Sequence, residues 1–196
     1  MKKTIGIFGG TFNPPHIAHS IVAESVREQL KLDKILFIPS GNPPLKESIS
    51  AKHRLAMAKL AFGNDKHFEV NDIEMQNVNE RSYTVNTLGK LNEIHKDDPV
   101  RFYLIIGVDN LIEFPKWKDP EKLFEMSEVV VINRPGFEVK RSETKFADKV
   151  NFVTVPYLEI SSSMIRSLVL GGRSIRYLVS EEVEDYIERN NLYKEL

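Results

Sequence analysis

The sequence has no cysteine. That excludes disulfides and thiolate metal sites, and it permits a reducing compartment. It has no surplus of charge either: 27 Lys and Arg against 28 Asp and Glu give a formal net charge of -1. Non-specific nucleic-acid binding needs an electrostatic excess, so no nucleic-acid partner is expected. Long apolar runs are missing. Phe102 to Ile106 and Val129 to Ile132 are among the longest, and both are far too short to span a bilayer. Lys2 and Lys3 lead within a few residues into Gly9-Gly10 and a polar loop, so no signal-peptide core is formed. No membrane partner and a cytoplasmic location are therefore expected. Two nucleotide signatures are also absent. There is no Gly-x-x-x-x-Gly-Lys-Ser/Thr phosphate loop, and no Gly-x-Gly-x-x-Gly follows the first strand.

What is present is an ordinary globular composition, 41% hydrophobic and 28% charged over 196 residues. That length suits one sizeable core. Short continuous apolar runs alternate with helical spacing. Thr4 to Phe8, Ile35 to Ile38, Arg101 to Ile106 (the clearest central strand), Glu128 to Ile132 and Phe152 to Val155 read as strands, and the alternating Phe68 to Glu74 is a further candidate. Helical spacing covers His16 to Leu30, Ala51 to Phe62 (with Leu55, Met57, Ala58 and Ala61 on or near one face), Thr84 to Ile94, Met164 to Leu170 and Glu181 to Arg189. Continuous apolar strands imply a parallel sheet covered on both faces. With right-handed crossovers this is a doubly wound, Rossmann-like α/β fold with helices on both faces. Residues 1–196 read as a single domain with a short C-terminal helical extension. The loops after Phe8, Ile38, Ile106 and Ile132 should share the ligand-binding edge, and charged Glu138 to Lys149 should be a mobile surface piece.

The densest signal is Gly9-Gly10-Thr11-Phe12-Asn13-Pro14-Pro15-His16-Ile17-Ala18-His19. Glycines at a strand end let backbone amides approach a ligand, and the helix start beyond them offers free N–H groups to an anion. His16 and His19 lie one turn apart on one face. The plain reading of each part alone is a tight turn and a solvated helix start. A metal pair is disfavoured because no third ligand and no His-Glu-x-x-His accompany them. His53, His67 and His95 are scattered and read as surface residues.

This stretch resembles the first motif of the nucleotidyltransferase superfamily with a His-x-Gly-His signature, with Ala18 where that superfamily usually has glycine. Further segments resemble the bacterial nicotinate mononucleotide adenylyltransferase family over essentially the whole chain. They are Ile38-Pro39-Ser40-Gly41-Asn42-Pro43-Pro44-Leu45-Lys46, Asp72-Ile73-Glu74 with Ser82-Tyr83-Thr84-Val85-Asn86-Thr87-Leu88, Ile105-Ile106-Gly107-Val108-Asp109-Asn110-Leu111 with Phe114 and Trp117, Ile160-Ser161-Ser162-Ser163-Met164-Ile165-Arg166, and the tail Tyr186 to Tyr193. Leu45 stands where a basic or imidazole residue is common, and Glu80-Arg81 where glycine is usual.

The resemblance implies transfer of AMP from ATP to nicotinate mononucleotide, giving nicotinate adenine dinucleotide and pyrophosphate in NAD biosynthesis. Mg²⁺ would come with the ATP phosphates, with no metal held by the protein alone. The implied catalytic residues are His16, His19 and Arg166. The implied ATP contacts are Gly9, Gly10, Thr11, Phe12, His16, His19, Gly107, Asp109, Ser161, Ser162, Ser163 and Arg166. For the nicotinate nucleotide they are Asn42, Lys46, Thr84, Asp109 and Trp117, the last stacking on the pyridine ring. Each also has a local reading. Ser161 to Ser163 form a helix N-cap cluster with Arg166 in the first turn, which suits the β- and γ-phosphates. Asp109 fits a helix N-cap as well as a ribose contact. Trp117 lies in a polar loop. A sister transferase taking nicotinamide mononucleotide or phosphopantetheine is the alternative among enzymes. A non-catalytic nucleotide-binding regulator is the alternative of another class. Self-association is permitted.

Overall fold

A computed structural model describes residues 2–42, 48–77, 81–133 and 145–194. Its strands are β1 (Lys3–Gly10), β2 (Lys34–Pro39), β3 (Phe68–Val70), β4 (Val100–Gly107), β5 (Glu128–Ile132) and β6 (Asn151–Val153). Its helices are α1 (Ile17–Gln29), α2 (Ala51–Phe62), α3 (Thr84–Ile94), α4 (Val108–Glu113), α5 (Pro120–Met126), α6 (Ser162–Leu170) and α7 (Glu181–Arg189). The strands form one sheet in the order β3-β2-β1-β4-β5-β6, and every pairing is parallel. This is the doubly wound α/β arrangement expected. The order reverses between β1 and β4, which puts the ligand-binding crevice beyond the carboxyl ends of those two strands.

Both sheet faces are buried, and the alternation of side chains sorts them. Ile5, Ile7, Leu36, Ile38, Leu104, Ile106, Val129 and Val131 pack with Leu88 and Leu91 of α3, Leu111 of α4 and Leu123 of α5. Ile35, Phe37, Tyr103, Ile105, Val130 and Ile132 pack on the other face with Ala23 and Val26 of α1 and Ala58 and Phe62 of α2. Strands apolar on both sides are what a helix-covered parallel sheet requires. A third cluster joins Met57 of α2 to Ile165 of α6, Val183 and Ile187 of α7, and Ile175, Val179 and Leu192.

Several expectations shift in detail. The strand expected over Phe68 to Glu74 stops at Val70, because the Asn71 side chain accepts the Ile73 N–H (2.9 Å) and turns the chain. The strand expected over Phe152 to Val155 ends at Val153. Past it the Asn133 side chain both accepts from Val155 N–H (2.6 Å) and donates to Val155 O (3.0 Å), replacing a backbone rung. The buried face of α2 is Arg54, Met57, Ala58 and Phe62, with Leu55 only half-buried. Helix α4 was expected only through Asp109 as its cap and begins earlier, at Val108; α5 was not expected, since seven residues are too few to show a period. Of the segment expected to be mobile, 138–144 lies outside the described residues. Phe146, close behind it, is buried against Phe114 and Phe124. His53, His67 and His95 are each half-buried, and His53 Nδ1 bonds the Tyr186 hydroxyl at 2.9 Å. No described helix is long and apolar enough to cross a membrane.

At the amino edge of the sheet Asp33 clasps β1 to β2. Its carboxylate accepts from the Thr4 N–H (2.8 Å) and hydroxyl (2.9 Å), and its own N–H donates to Thr4 O (3.0 Å). These bonds hold the Asp33 carboxyl below its usual value. A carboxyl with a depressed folded-state value stabilises above its unfolded value and loses that contribution as pH falls. Asp33→Asn is therefore expected to lower the thermal midpoint at pH 7. The gap from wild type should begin to close only as pH drops below about 4, read by circular dichroism melts across pH.

Candidate active site

At the carboxyl edge the sheet opens into a cavity of about 550 Å³. It lies where the strand order reverses. One wall is the motif after β1, with Gly10, Thr11, Asn13, His16, Ala18 and His19. The facing wall is the start of α6, with Ser161, Ser162, Ser163 and Arg166. Gly107 and Asp109, past β4, and Ile132 and Asn133, past β5, lie between them.

The motif holds its shape through packing. Phe12 has φ +48, a left-handed backbone that a bulky residue adopts only under constraint. The constraint is its ring, 2% exposed, edge-on to His19 (5.1 Å between centroids), Phe37 (5.9 Å) and Phe62 (5.5 Å). That ring folds back over Gly10, where a Cβ would meet it at 2.8 Å. Gly10 is thus required by a neighbour within the chain as well as by any ligand, and Phe12 has only its backbone to offer one. Gly9 is exposed and does not line the cavity.

His16 is the N-cap of α1 and His19 the third residue of the helix. Their rings stack 3.7 Å apart. His19 Nδ1 accepts the His16 backbone N–H at 3.1 Å. In the neutral ring this bond leaves the proton on Nε2, so the imidazole presents a donor on its far side. The helix start is less open than the sequence suggests. The Ile17 N–H donates to Leu178 O (2.9 Å) and the His19 N–H to His16 O (2.9 Å), so two of the first amides of α1 are already bonded within the chain.

On the facing wall Ser161 caps α6, accepting from Met164 N–H at 3.2 Å. Ser162 donates to Pro14 O (2.7 Å), and its proton is committed there. Ser163 lies 3.0 Å from Ser161, oxygen to oxygen. Arg166 is the fifth residue of α6, one beyond the first turn where it was expected, and Nη1 donates to Asn13 O at 2.9 Å. The two walls are therefore bonded to each other. Asp109 is not an N-cap: Gly107 caps α4, and Asp109 is the second helical residue. Its carboxylate turns back over Gly107 into the place a Cβ would fill.

Of the acceptor-side candidates, Lys46 lies outside the described residues. Asn42, Thr84 and Trp117 do not line the cavity, but the segments that carry them are joined to one another. Gly41 N–H and Asn42 N–H donate to Ser82 Oγ (3.1 and 3.2 Å), and Ser82 N–H donates to Asn42 O (3.1 Å). Tyr83, just before Thr84, lies under the Lys118 ammonium at 4.9 Å. Trp117 is not held in a purely polar loop. It is half-buried, with its ring tilted on Phe114 at 5.0 Å.

Sequence reasoning missed Arg54, Asn13 and Tyr193 as parts of the site. Arg54 is 1% exposed. It donates from Nε to Ile49 O (3.2 Å), from Nη1 to Thr11 O (3.1 Å) and Ser40 O, and from Nη2 to Gly41 O (2.9 Å). Burial pulls its guanidinium below the usual value, against the influence of Tyr193 and Glu74. The signal was a lone arginine on the apolar stripe of α2, three and four residues before Met57 and Ala58. Tyr193 donates to Asn13 Oδ1 at 2.7 Å, and burial pushes its phenol well up, opposed by Arg166 and Arg54.

The family model of cytidylyltransferase-like proteins matches residues 7–168. A Salinibacter ruber protein named "Probable nicotinate-nucleotide adenylyltransferase" is 40% identical over 194 residues, 97% of this chain and 98% of its own. One of the same name from Thermoanaerobacter sp. is 40% identical over 200 residues, 97% and 94% of the two chains. This chain belongs to the nicotinate-nucleotide adenylyltransferase family. Among solved structures, the Plasmodium falciparum nicotinic acid mononucleotide adenylyltransferase complexed with NaAD superposes with a TM-score of 0.83 at 25% identity, covering 98% of each chain.

Tyr193→Phe removes the donor to Asn13, whose side chain is buried. It is expected to cost about 1–3 kcal/mol of folding free energy, measured by urea denaturation, because Asn13 Oδ1 would be left unsatisfied.

Proposed function

We propose that this chain transfers AMP from ATP to nicotinate mononucleotide, releasing pyrophosphate and nicotinate adenine dinucleotide, in the synthesis of NAD. The observation that carries the reading is the pair of donor-rich walls, His16 and His19 against Ser163 and Arg166, facing each other across one cavity at the β1–β4 reversal. The family relationship narrows that site to the adenylyl transfer.

The acceptor phosphate is a monoester already ionised at neutral pH, so it attacks without a general base. A new bond forms between its oxygen and the α-phosphorus. The bond from the α-phosphorus to the bridging oxygen breaks, and its electron pair leaves with pyrophosphate. The protein's task is to position the two substrates and to stabilise charge. We assign His19 Nε2–H to the α-phosphate oxygens and His16 to the α/β region. Arg166 and Ser163 take the β- and γ-phosphates, with the first amides of α6 beside them. Ser162 braces Pro14 instead. Gly10, Thr11, Phe12 and Gly107 offer backbone groups, and Asp109 the ribose contact. Among the described residues Asp109 is the one carboxylate on the cavity wall, which would suit a Mg²⁺ that arrives on ATP with most of its ligands from phosphate and water. Asn42, Thr84 and Trp117 hold the pyridine nucleotide. The third apolar cluster, which ties the C-terminal helices to α2, supports one domain with a helical extension. A cytoplasmic location belongs to the same proposal.

Pyrophosphate release with ATP and, in turn, the nicotinate, nicotinamide and pantetheine phosphates tests the reading. Turnover is expected to be fastest with nicotinate mononucleotide; no turnover, or turnover with the pantetheine phosphate alone, replaces it. His19→Ala is expected to lower kcat by about 10²-fold or more in steady-state assays, the usual loss for a transition-state donor. Trp117→Ala is expected to raise KM for the pyridine nucleotide well above its effect on KM for ATP, since only the former meets the ring.

A further inference from the structure

We propose that Arg54 is a positioning residue for the adenylyl transfer, setting the spacing between the loop that carries the donor and the loop that carries the acceptor. The inference rests on the reaction proposed above. The β1–β2 pairing runs to Gly10 opposite Pro39, and Ser40 N–H donates to Gly10 O at 2.9 Å. Past that rung the two chains part. Thr11 leads into the histidine motif, and Ser40 leads through Gly41 and Asn42 to Ser82. Arg54 joins them at the first residue beyond each strand, with Nη1 shared between Thr11 O and Ser40 O and Nη2 on Gly41 O.

Each loop is stiff enough to pass this spacing on. On the donor side Thr11 precedes Phe12, whose ring abuts His19. On the acceptor side Gly41 is seated against the Glu74 carbonyl, in the space a Cβ would need, and Ser82 Oγ takes the Gly41 and Asn42 amides. The bonded partners of Arg54 are all backbone carbonyls. Filling the space alone would not require a charge, since an apolar residue of similar volume avoids the desolvation penalty. A planar fork that meets carbonyls from two loops fixes their relative position, and a lysine's single ammonium cannot reproduce it. Transfer between two bound substrates is sensitive to such placement: a misplacement of about 1 Å costs about 10²-fold in rate.

The test uses the full chain as wild type, Arg54→Lys, Arg54→Met and Ser82→Ala. Binding of α,β-methylene-ATP gives the number of competent sites and the donor Kd, and nicotinate mononucleotide binding gives the acceptor Kd. Turnover is expressed per competent site, so a merely less stable protein shows no loss. The Arg54 variants are expected to keep both Kd values within about threefold while kcat per site falls about 10²-fold, the pattern of lost alignment. A kcat per site within about threefold of wild type overturns the proposal, as does a fall in kcat matched by an equal fall in donor affinity. If neither Arg54 variant folds, Ser82→Ala decides, because it loosens residues 41 and 42 from the other side. A lower kcat per site at unchanged donor Kd supports the proposal, and unchanged kcat overturns it. Wild type without turnover instead refutes the reaction itself.

Discussion

The site depends on one buried cation. Arg54 lies 1% exposed between α2 and the loops that leave β1 and β2, and binds four backbone carbonyls from three segments. A parallel sheet positions its loops only as far as its last rung. Beyond that, each loop has to find its own support, because its carbonyls no longer meet a neighbouring strand. A guanidinium answers this with donors in a fixed plane. Burial makes the charge costly and also makes each of its hydrogen bonds stronger than the same bond in water.

A second set of bonds braces the motif from the other direction. Ser162 and Arg166 reach from α6 to the carbonyls of Pro14 and Asn13, Leu178 O takes the first amide of α1, and Tyr193 holds the Asn13 side chain. The segment from 161 to 194 thus contributes both a wall of the cavity and the supports of the opposite wall. The left-handed Phe12 belongs to the same logic. Its backbone strain is offset by a ring buried among Phe37, Phe62 and His19, and that ring also orients the imidazole. In the reaction proposed above the histidines serve as donors for a developing phosphoryl charge rather than as an acid and a base. The His16 amide on His19 Nδ1 fixes which nitrogen carries the proton.

Much of this was legible in the chain. Continuous apolar strands such as Arg101 to Ile106 identified a parallel sheet covered on both faces, and Gly9 to His19 marked its ligand edge. The ends of α2, α3, β5 and α7 fall where the residues put them, because each has clear periodicity or a clear cap. Signals that depend on distant neighbours were not legible. Nothing local says that Val155 pairs with an asparagine side chain, that Ser162 turns to Pro14, or that Phe146 is buried next to a charged run. Arg54 showed only as a charge on an apolar stripe.

The sequence by itself determined the fold class and the edge of the sheet where ligands are expected, because periodicity and strand-end motifs are local properties; the strand order that sets the reversal point came from the tertiary structure. The tertiary structure decided which groups remain for the ligand. It committed the Ser162 hydroxyl, the Ile17 amide and one arm of Arg166 to bracing, set the Asp109 carboxylate over Gly107, and placed His19, Ser163 and Ala18 on the cavity wall. The reason is physical: a donor spent on a partner many residues away is lost to the ligand, and only the folded chain shows where that partner lies.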